Sequence, residues 1–323
     1  MIYHIMSDRT VEKSSYLILL CAAWFCTLSI ATYAHAEDAP TQAEDKSPST
    51  HRVGRADGPE LLPIEYNYPV EKWADEEVHY AISMMGGDAA RAALHIGQAI
   101  QDEELGRVVP VQGLVSSVGF LSALVKFKYG GLTYVDPKTG YPVWSEKLLE
   151  DNGRSRTYTS YYDRDAYTAR VVRSENNEDS PRTKVIPRHA DDIFTWLLRL
   201  RDMDLEVGDT YIAYIFDGWL VRRLTLRVVG HDQRPAYEGA RQQVDAAEIA
   251  IQTESLEPVA PLPWAKKGAT LAPVHRVKKR EQVASMWFSL DDRRVPLSIS
   301  LQTPVGFVRM ELTKYVAPKR ERN

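Results

Sequence analysis

A chain of 323 residues with 40 Lys and Arg against 44 Asp and Glu carries a formal charge of −4, and 44% of its residues are hydrophobic. That length can bury a core without covalent staples, and so small a charge argues against a general polyanion binder such as a nucleic-acid coat. With two cysteines in all, a disulfide framework or a cysteine metal site is not expected.

The chain opens on an apolar run. Ser14 to Ala31 is largely apolar, Arg9 and Lys13 precede it, and Ala34-His35-Ala36 follows, before acidic and polar residues. This order predicts a cleavable signal peptide over residues 1–36 with a small-x-small cut site, and hence a periplasmic protein. The rival is an uncleaved membrane anchor, for which the run is slightly short. Cys21 and Cys26 lie inside the run among bulky neighbours, so a lipid-modified cysteine is disfavoured and the processed chain has no thiol. Residues 37–60 are rich in Pro, Ser, Asp and Glu with no hydrophobic period; they predict a disordered linker, because burial cannot repay their ordering entropy. A single folded domain is expected over 61–317, with a basic tail at 318–323.

Within that domain strand signals dominate. Val78, Tyr80 and Ile82 alternate with polar or small residues, and Gly86-Gly87 punctuates the chain. Ala89 to Ile100 reads as a strand despite its alanines. Val108 to Ser116 continues the pattern, and Ser117 to Val125 predicts a helical turn with Phe120, Leu121 and Leu124 on one side. Leu132 to Asp136 reads as a short strand ending at the turn Pro137-Lys138-Thr139-Gly140. Val143 to Leu149 follows, then Arg156 to Asp163 and Tyr167 to Val172 around Asp163-Arg164-Asp165. Tyr158, Ser160 and Tyr162 share a face by parity. His189 to Arg201 predicts the main helix, with Asp191 and Asp192 at its start and Ile193, Trp196, Leu197 and Leu200 on its apolar side.

Tyr211 to Phe216 and Trp219 to Val229 flank Asp217-Gly218, a favoured hairpin pair. Arg222 has the parity of the apolar face of its strand, which marks a strand end, a bulge or a polar lumen. Val244 to Ile251 is another strand, and residues 256–275 form a Pro-rich excursion. Gln282 to Leu290, Val295 to Leu301 and Val305 to Tyr315 complete a terminal meander. The fold class expected is all-β, mainly antiparallel: a strongly curved sheet or partly closed β-barrel with one short packed helix, since curvature hides sheet edges.

Four stretches carry a resemblance. The first runs from Tyr68-Pro69-Val70 through Glu77-Val78-His79-Tyr80 to Gly86-Gly87 and Ala89-Ala90-Arg91-Ala92. The second is Val135-Asp136-Pro137-Lys138-Thr139-Gly140-Tyr141-Pro142-Val143 with Arg156 to Tyr162. The third is Asp191 to Arg199, leading to Glu206-Val207-Gly208-Asp209-Thr210 and Phe216-Asp217-Gly218. The fourth is Met286 to Leu297, with Gly306-Phe307-Val308 beyond it. Taken in order, over roughly residues 65 to 315, they resemble the DUF3108 family of exported bacterial proteins. The resemblance implies a periplasmic, mostly antiparallel β domain and supplies no catalytic residue. The excursion from Glu257 to Val274 is longer than the matching turn of that family.

Chemistry-bearing motifs are sparse. His79, His95, His189, His231 and His275 are dispersed, so no metal site is expected. No G-x-S-x-G elbow occurs, and Gly86-Gly87 and Gly130-Gly131 read as turns without a Walker lysine. The basic stretch Lys266, Lys267, Arg276, Lys278, Lys279 and Arg280 is a candidate contact for an anionic surface, or a solvated, guarded strand edge. Among the many aromatics, Tyr158, Tyr162 and Trp219, with Arg222, are candidate ligand-binding residues in a pocket with polar tips. The function expected is a noncatalytic periplasmic envelope protein binding an amphipathic or envelope ligand, lipid or glycan, with no cofactor and no nucleic acid. Peripheral membrane contact fits the same reading. The alternatives are an assembly protein contacting other envelope proteins and, less favoured, an envelope hydrolase.

Overall fold

The structure, a computed structural model, describes residues 70–238, 240–258, 275–303 and 306–318, of which 257, 258, 275–283 and 303 are described by their backbone alone. The expected signal peptide and linker, Lys266, Lys267 and most of the tail lie outside the described residues, so those expectations do not meet the structure.

A 3₁₀ turn at Val70–Trp73 leads into β1 (Glu77–Met84), β2 (Gly87–Ile96), β3 (Ile100–Asp102) and β4 (Gly106–Ser117). A short helix, α1 (Gly119–Leu124), precedes β5 (Phe127–Val135), β6 (Pro142–Asp151), β7 (Arg154–Asp163), β8 (Thr168–Glu175) and β9 (Glu178–Val185). β10 (Ala190–Asp191) and α2 (Ile193–Leu200) come next. The chain ends with β11 (Thr210–Phe216), β12 (Val221–Pro235), β13 (Gln243–Pro258), β14 (His275–Ser289), β15 (Pro296–Thr303) and β16 (Gly306–Val316).

These strands form one sheet in the order β10-β11-β12-β13-β14-β15-β16-β1-β2-β4-β5-β6-β7-β8-β9, with β3 attached to β4. Pairing is antiparallel except between β10 and β11. The first strand lies beside the last, with Glu77 opposite Val316.

The mainly antiparallel class and the short helix agree with the sequence. The strongly curved sheet or partly closed barrel does not: the strand path is open, and the sheet is neither closed nor strongly curled. The two end strands explain this. β10 offers two residues, and β9 is polar, exposed along most of its length and interrupted by Pro181, which has no N–H to donate. Closure needs a long matched ladder; here the ends are blunted instead.

The core lies on the face where alternate strand residues turn inward. Val78, Tyr80, Ile82 and Met84 of β1 pack with Val308, Met310 and Leu312 of β16 and with Ile299 and Leu301 of β15, all buried. Side chains and α2 tie together strands far apart in the sheet. Asp192 caps α2, its Oδ1 accepting from the N–H groups of Phe194 at 3.0 Å and Thr195 at 2.9 Å, while Thr195 Oγ1 accepts from Asp192 N at 3.0 Å. This capping box replaces hydrogen bonds that a helix start lacks. The helix is shorter than the expected His189 to Arg201, because Ala190 and Asp191 pair with β11, and it is buried on all sides rather than along one stripe. Arg199 donates to both Asp191 oxygens at 2.6 and 2.7 Å, and Arg201 to both Glu76 oxygens at 2.5 and 2.9 Å.

Other departures have local causes. Gly130-Gly131 is not a turn but the middle of β5, which starts at Phe127 rather than Leu132. Gly113 and Gly131 pair across β4 and β5, and each leaves room for the ring of Phe194. β2 stops at Ile96, so Ile100 starts β3 and is exposed. In α1 only Leu121 is buried; Phe120 and Leu124 face out. β9 was not legible as a strand, and β13 and β14 extend to Pro258 and His275, so the excursion is shorter than 256–275.

Candidate functional site

The β11–β12 turn sets the candidate site. Asp217 Oδ1 accepts from the N–H groups of Trp219 at 2.7 Å and Leu220 at 2.8 Å, an Asx turn, and Gly218 takes φ +97°, the left-handed region that suits glycine. The turn packs on β7: a Cβ on Gly218 would lie 3.6 Å from Ser160 Oγ and 3.7 Å from the Tyr158 Cβ. Phe216 meets Tyr162 edge to face, with ring centroids 6.1 Å apart.

The four sequence-predicted residues thus lie around one corner. Tyr158 is buried on the inner face of β7, opposite Lys147 of β6, itself buried. Tyr162 shares a hydrogen bond of 3.2 Å with Ser145 Oγ, and burial pushes its phenol well above the usual range, with the charges of Asp192 and Asp217 adding to the rise and Ser145 and Arg164 opposing it. Arg222 is 2% exposed. Its Nη1 donates to Ser255 Oγ at 3.2 Å, and its Nε stands 4.0 Å from Asp217 Oδ2, an oxygen with no hydrogen-bond partner. Its head group is therefore committed to internal partners.

Trp219 is half-buried at the rim and carries two cations from β9: the Arg182 guanidinium lies 4.8 Å and the Lys184 ammonium 4.2 Å from its ring centroid. Burial holds the Lys184 ammonium below its usual pKa, the neighbouring Arg182 charge adds to the drop, and Asp217 opposes it. These two cations were missed in the sequence because β9 reads polar throughout; the signal was the alternation of Arg182 and Lys184 with Thr183 and Val185.

The basic stretch is not brought to this corner as a described group. Arg276, Lys278, Lys279 and Arg280 lie in β14, where only the backbone is described, with Arg276 opposite Glu257 and Arg280 opposite Glu254. The described histidines are dispersed: His189 Nδ1 meets Tyr141 Oη at 2.9 Å, His231 Nε2 meets the Leu205 carbonyl at 2.6 Å, and His79 lies 2.5 Å from Glu77. Among the described residues no group of three His, Cys, Asp or Glu is set to hold a metal, and no helix is long and apolar enough to cross a membrane. Chemically, the corner offers cations on an aromatic face beside a buried carboxylate, an arrangement that can recognise an anion joined to an apolar or sugar surface.

Comparison with known proteins adds the following. A beta-barrel-like protein of the domain of unknown function DUF1849 from Brucella abortus is similar over 77% of this chain and 99% of its own, at 9% identity and a TM-score of 0.48. A candidate lipoprotein from Parabacteroides distasonis aligns over 79% of this chain and all of its own length (100%), at 8% identity and a TM-score of 0.28. A candidate exported protein with a YmcC-like fold from Bacteroides fragilis covers 78% of this chain and 100% of its own, at 6% identity and a TM-score of 0.28. No curated protein matches the chain. The profile of the protein family of unknown function DUF3108 matches residues 77–313, from the start of β1 almost to the end of β16. The chain that builds this open β sheet therefore belongs to the DUF3108 family.

Proposed function

We propose that the protein is a noncatalytic component of the bacterial cell envelope that binds an anionic amphipathic or glycan ligand at the Trp219 corner. One observation carries this: Arg182 and Lys184 are both stacked on the half-buried Trp219 ring, and Arg182 is exposed. Two cations held over one indole are poised to meet a phosphate or carboxylate, while the ring meets the apolar or sugar part. Arg222 acts behind them as a positioning residue, holding the Asp217 turn that presents Trp219. The N-terminal sequence, with its apolar run and Ala34-His35-Ala36, supports a site of action beyond the inner membrane.

The test is native mass spectrometry on the protein purified gently from the envelope, with lipid and glycan extraction of the same sample. A stoichiometric anionic adduct that is lost in Arg182→Ala/Lys184→Ala supports the proposal. A bare polypeptide mass under conditions that retain weak ligands, or an adduct untouched by the double substitution, refutes it. The internal packing of Tyr158, Tyr162 and Arg222 supports a second reading, an assembly protein contacting other envelope proteins. A stoichiometric co-purifying polypeptide in the same spectra would favour that one.

A further inference from the structure

One end of the sheet carries large apolar side chains that the core does not use. Met85 in the β1–β2 turn is 74% exposed, Leu124 at the end of α1 70%, Phe307 at the start of β16 67%, and Phe120 of α1 45%. Strand pairing puts the Met85 turn beside the start of β16: Met84 stands opposite both Gly87 and Val308. The Phe120 ring lies over Gly87, where a Cβ would be 2.9 Å from Cε1, and Met85 Cγ lies 3.8 Å from a Cβ built on Gly306. Single exposed apolar residues are ordinary, but four gathered on one turn, one short helix and one strand start form a contact surface.

The rim of this surface is basic. Where α1 runs into β5, an open groove of about 370 Å³ is lined by Lys126, Lys128 and Arg154, with Glu150 as the acid among them. Of the other charges close by, Asp88 pairs with Arg91 at 2.8 Å, Arg309 with Glu311 at 3.8 Å and Asp151 with Arg156 at 2.6 Å, and the Glu238 charge also acts on Arg91.

We propose that this end of the sheet docks on an anionic lipid bilayer, with Met85, Phe120, Leu124 and Phe307 entering the interface and Lys126, Lys128 and Arg154 meeting the head groups. Apolar side chains exposed together at one end of a sheet suit shallow insertion, and cations set beside them complement a negative membrane surface. The surface is distinct from the Trp219 corner, and neither proposal depends on the other.

The N-terminal apolar run of the full chain would favour membranes by itself, so the readout must be local. Phe120→Trp in the full chain is compared with its parent on vesicles of phosphatidylethanolamine and phosphatidylglycerol with brominated acyl chains. The added emission is expected to shift to the blue and to be quenched. Lys126→Glu/Lys128→Glu/Arg154→Glu is expected to cut the quenching about fivefold or more, and brominated phosphatidylcholine vesicles to give equally little. Phe307→Trp is the second reporter should the first disturb α1. A chain that sediments with vesicles while both reporters stay unshifted and unquenched overturns the proposal, and so does quenching indifferent to the charge reversal.

Discussion

Gly131 stands directly against the ring of Phe194: a Cβ there would lie 2.6 Å from Cε2. Gly113, its partner across the β4–β5 ladder, faces the same ring, and a Cβ there would run into Cε1. The two glycines form the notch that seats α2 on the sheet. Gly131→Ala is expected to lower the unfolding free energy by about 1–3 kcal/mol through overpacking. Gly130→Ala, with nothing within 4 Å, should be nearly neutral. Phe194→Ala should cost about 3–5 kcal/mol and abolish the further penalty of Gly131→Ala. Urea unfolding of the set decides; a full Gly131→Ala penalty in the Phe194→Ala background would mean that the ring is not what the glycine accommodates.

At the other end of α2, Arg201 and Glu76 are both almost fully buried, and Arg201 also donates to the Arg293 carbonyl at 2.6 Å. Glu76→Gln should cost about 3–5 kcal/mol, because the guanidinium loses its counter-charge out of water. The pair Glu76→Leu/Arg201→Met should cost less than the sum of the two single changes, since it leaves no lone charge. Additive penalties in a double-mutant cycle would show that the two residues act separately.

Tyr315 donates its hydroxyl to Glu76 Oε2 at 3.1 Å. Burial, then the Glu76 charge and this hydrogen bond, push its phenol up to about 12. The folded state therefore holds the phenolic proton more tightly than the unfolded chain does. The resulting stabilisation is fully present below the unfolded value of about 10 and is lost as pH rises through the folded one. The stability difference between the parent and Tyr315→Phe should be level below about pH 10 and shrink toward pH 12. Tyr211 is raised into the same window, so the difference and not the raw curve is the readout. A difference that stays flat to pH 12 would contradict the assignment.

Arg222 and Arg182 should separate cleanly. Arg222→Ala removes the buried cation beside the Asp217 carboxylate and is expected to destabilise by about 3–5 kcal/mol. Arg182→Ala, at an exposed position, should leave stability within about 0.5 kcal/mol while weakening ligand retention. Thermal unfolding and adduct occupancy measured on both variants test this; reversed behaviour would place the accessible cation at Arg222 instead.

What could be read in the sequence was whatever local rules decide. Alternation in Met286, Phe288 and Leu290, and again in Val308, Met310 and Leu312, located strands, and Asp217-Gly218 located a hairpin. Parity alone placed Tyr158 and Tyr162 on one face. Tertiary causes stayed hidden. Gly130-Gly131 looked like a turn because the ring that requires Gly131 lies far along the chain. β9 has no apolar face to announce it, so the two cations over Trp219 went unread with it. Phe120 and Leu124 have helical spacing suited to a core, yet only Leu121 finds one. Whether a sheet closes depends on its end strands, which here are one short and one polar, and pattern along a strand does not report that.

The neighbouring of the first and last strands sets a rule for assembly. β1 has β16 as one of its two ladder partners, so one of its edges stays uncovered until the final residues of the chain arrive. Strand by strand completion is excluded for a polypeptide made N-terminus first. Its early strands must wait as a half-finished template, open to wrong pairing with a passing strand, and the wait lengthens with the time the rest of the chain takes to emerge. Loss of even the last dozen residues should therefore harm the folding of the whole domain, not merely trim its end.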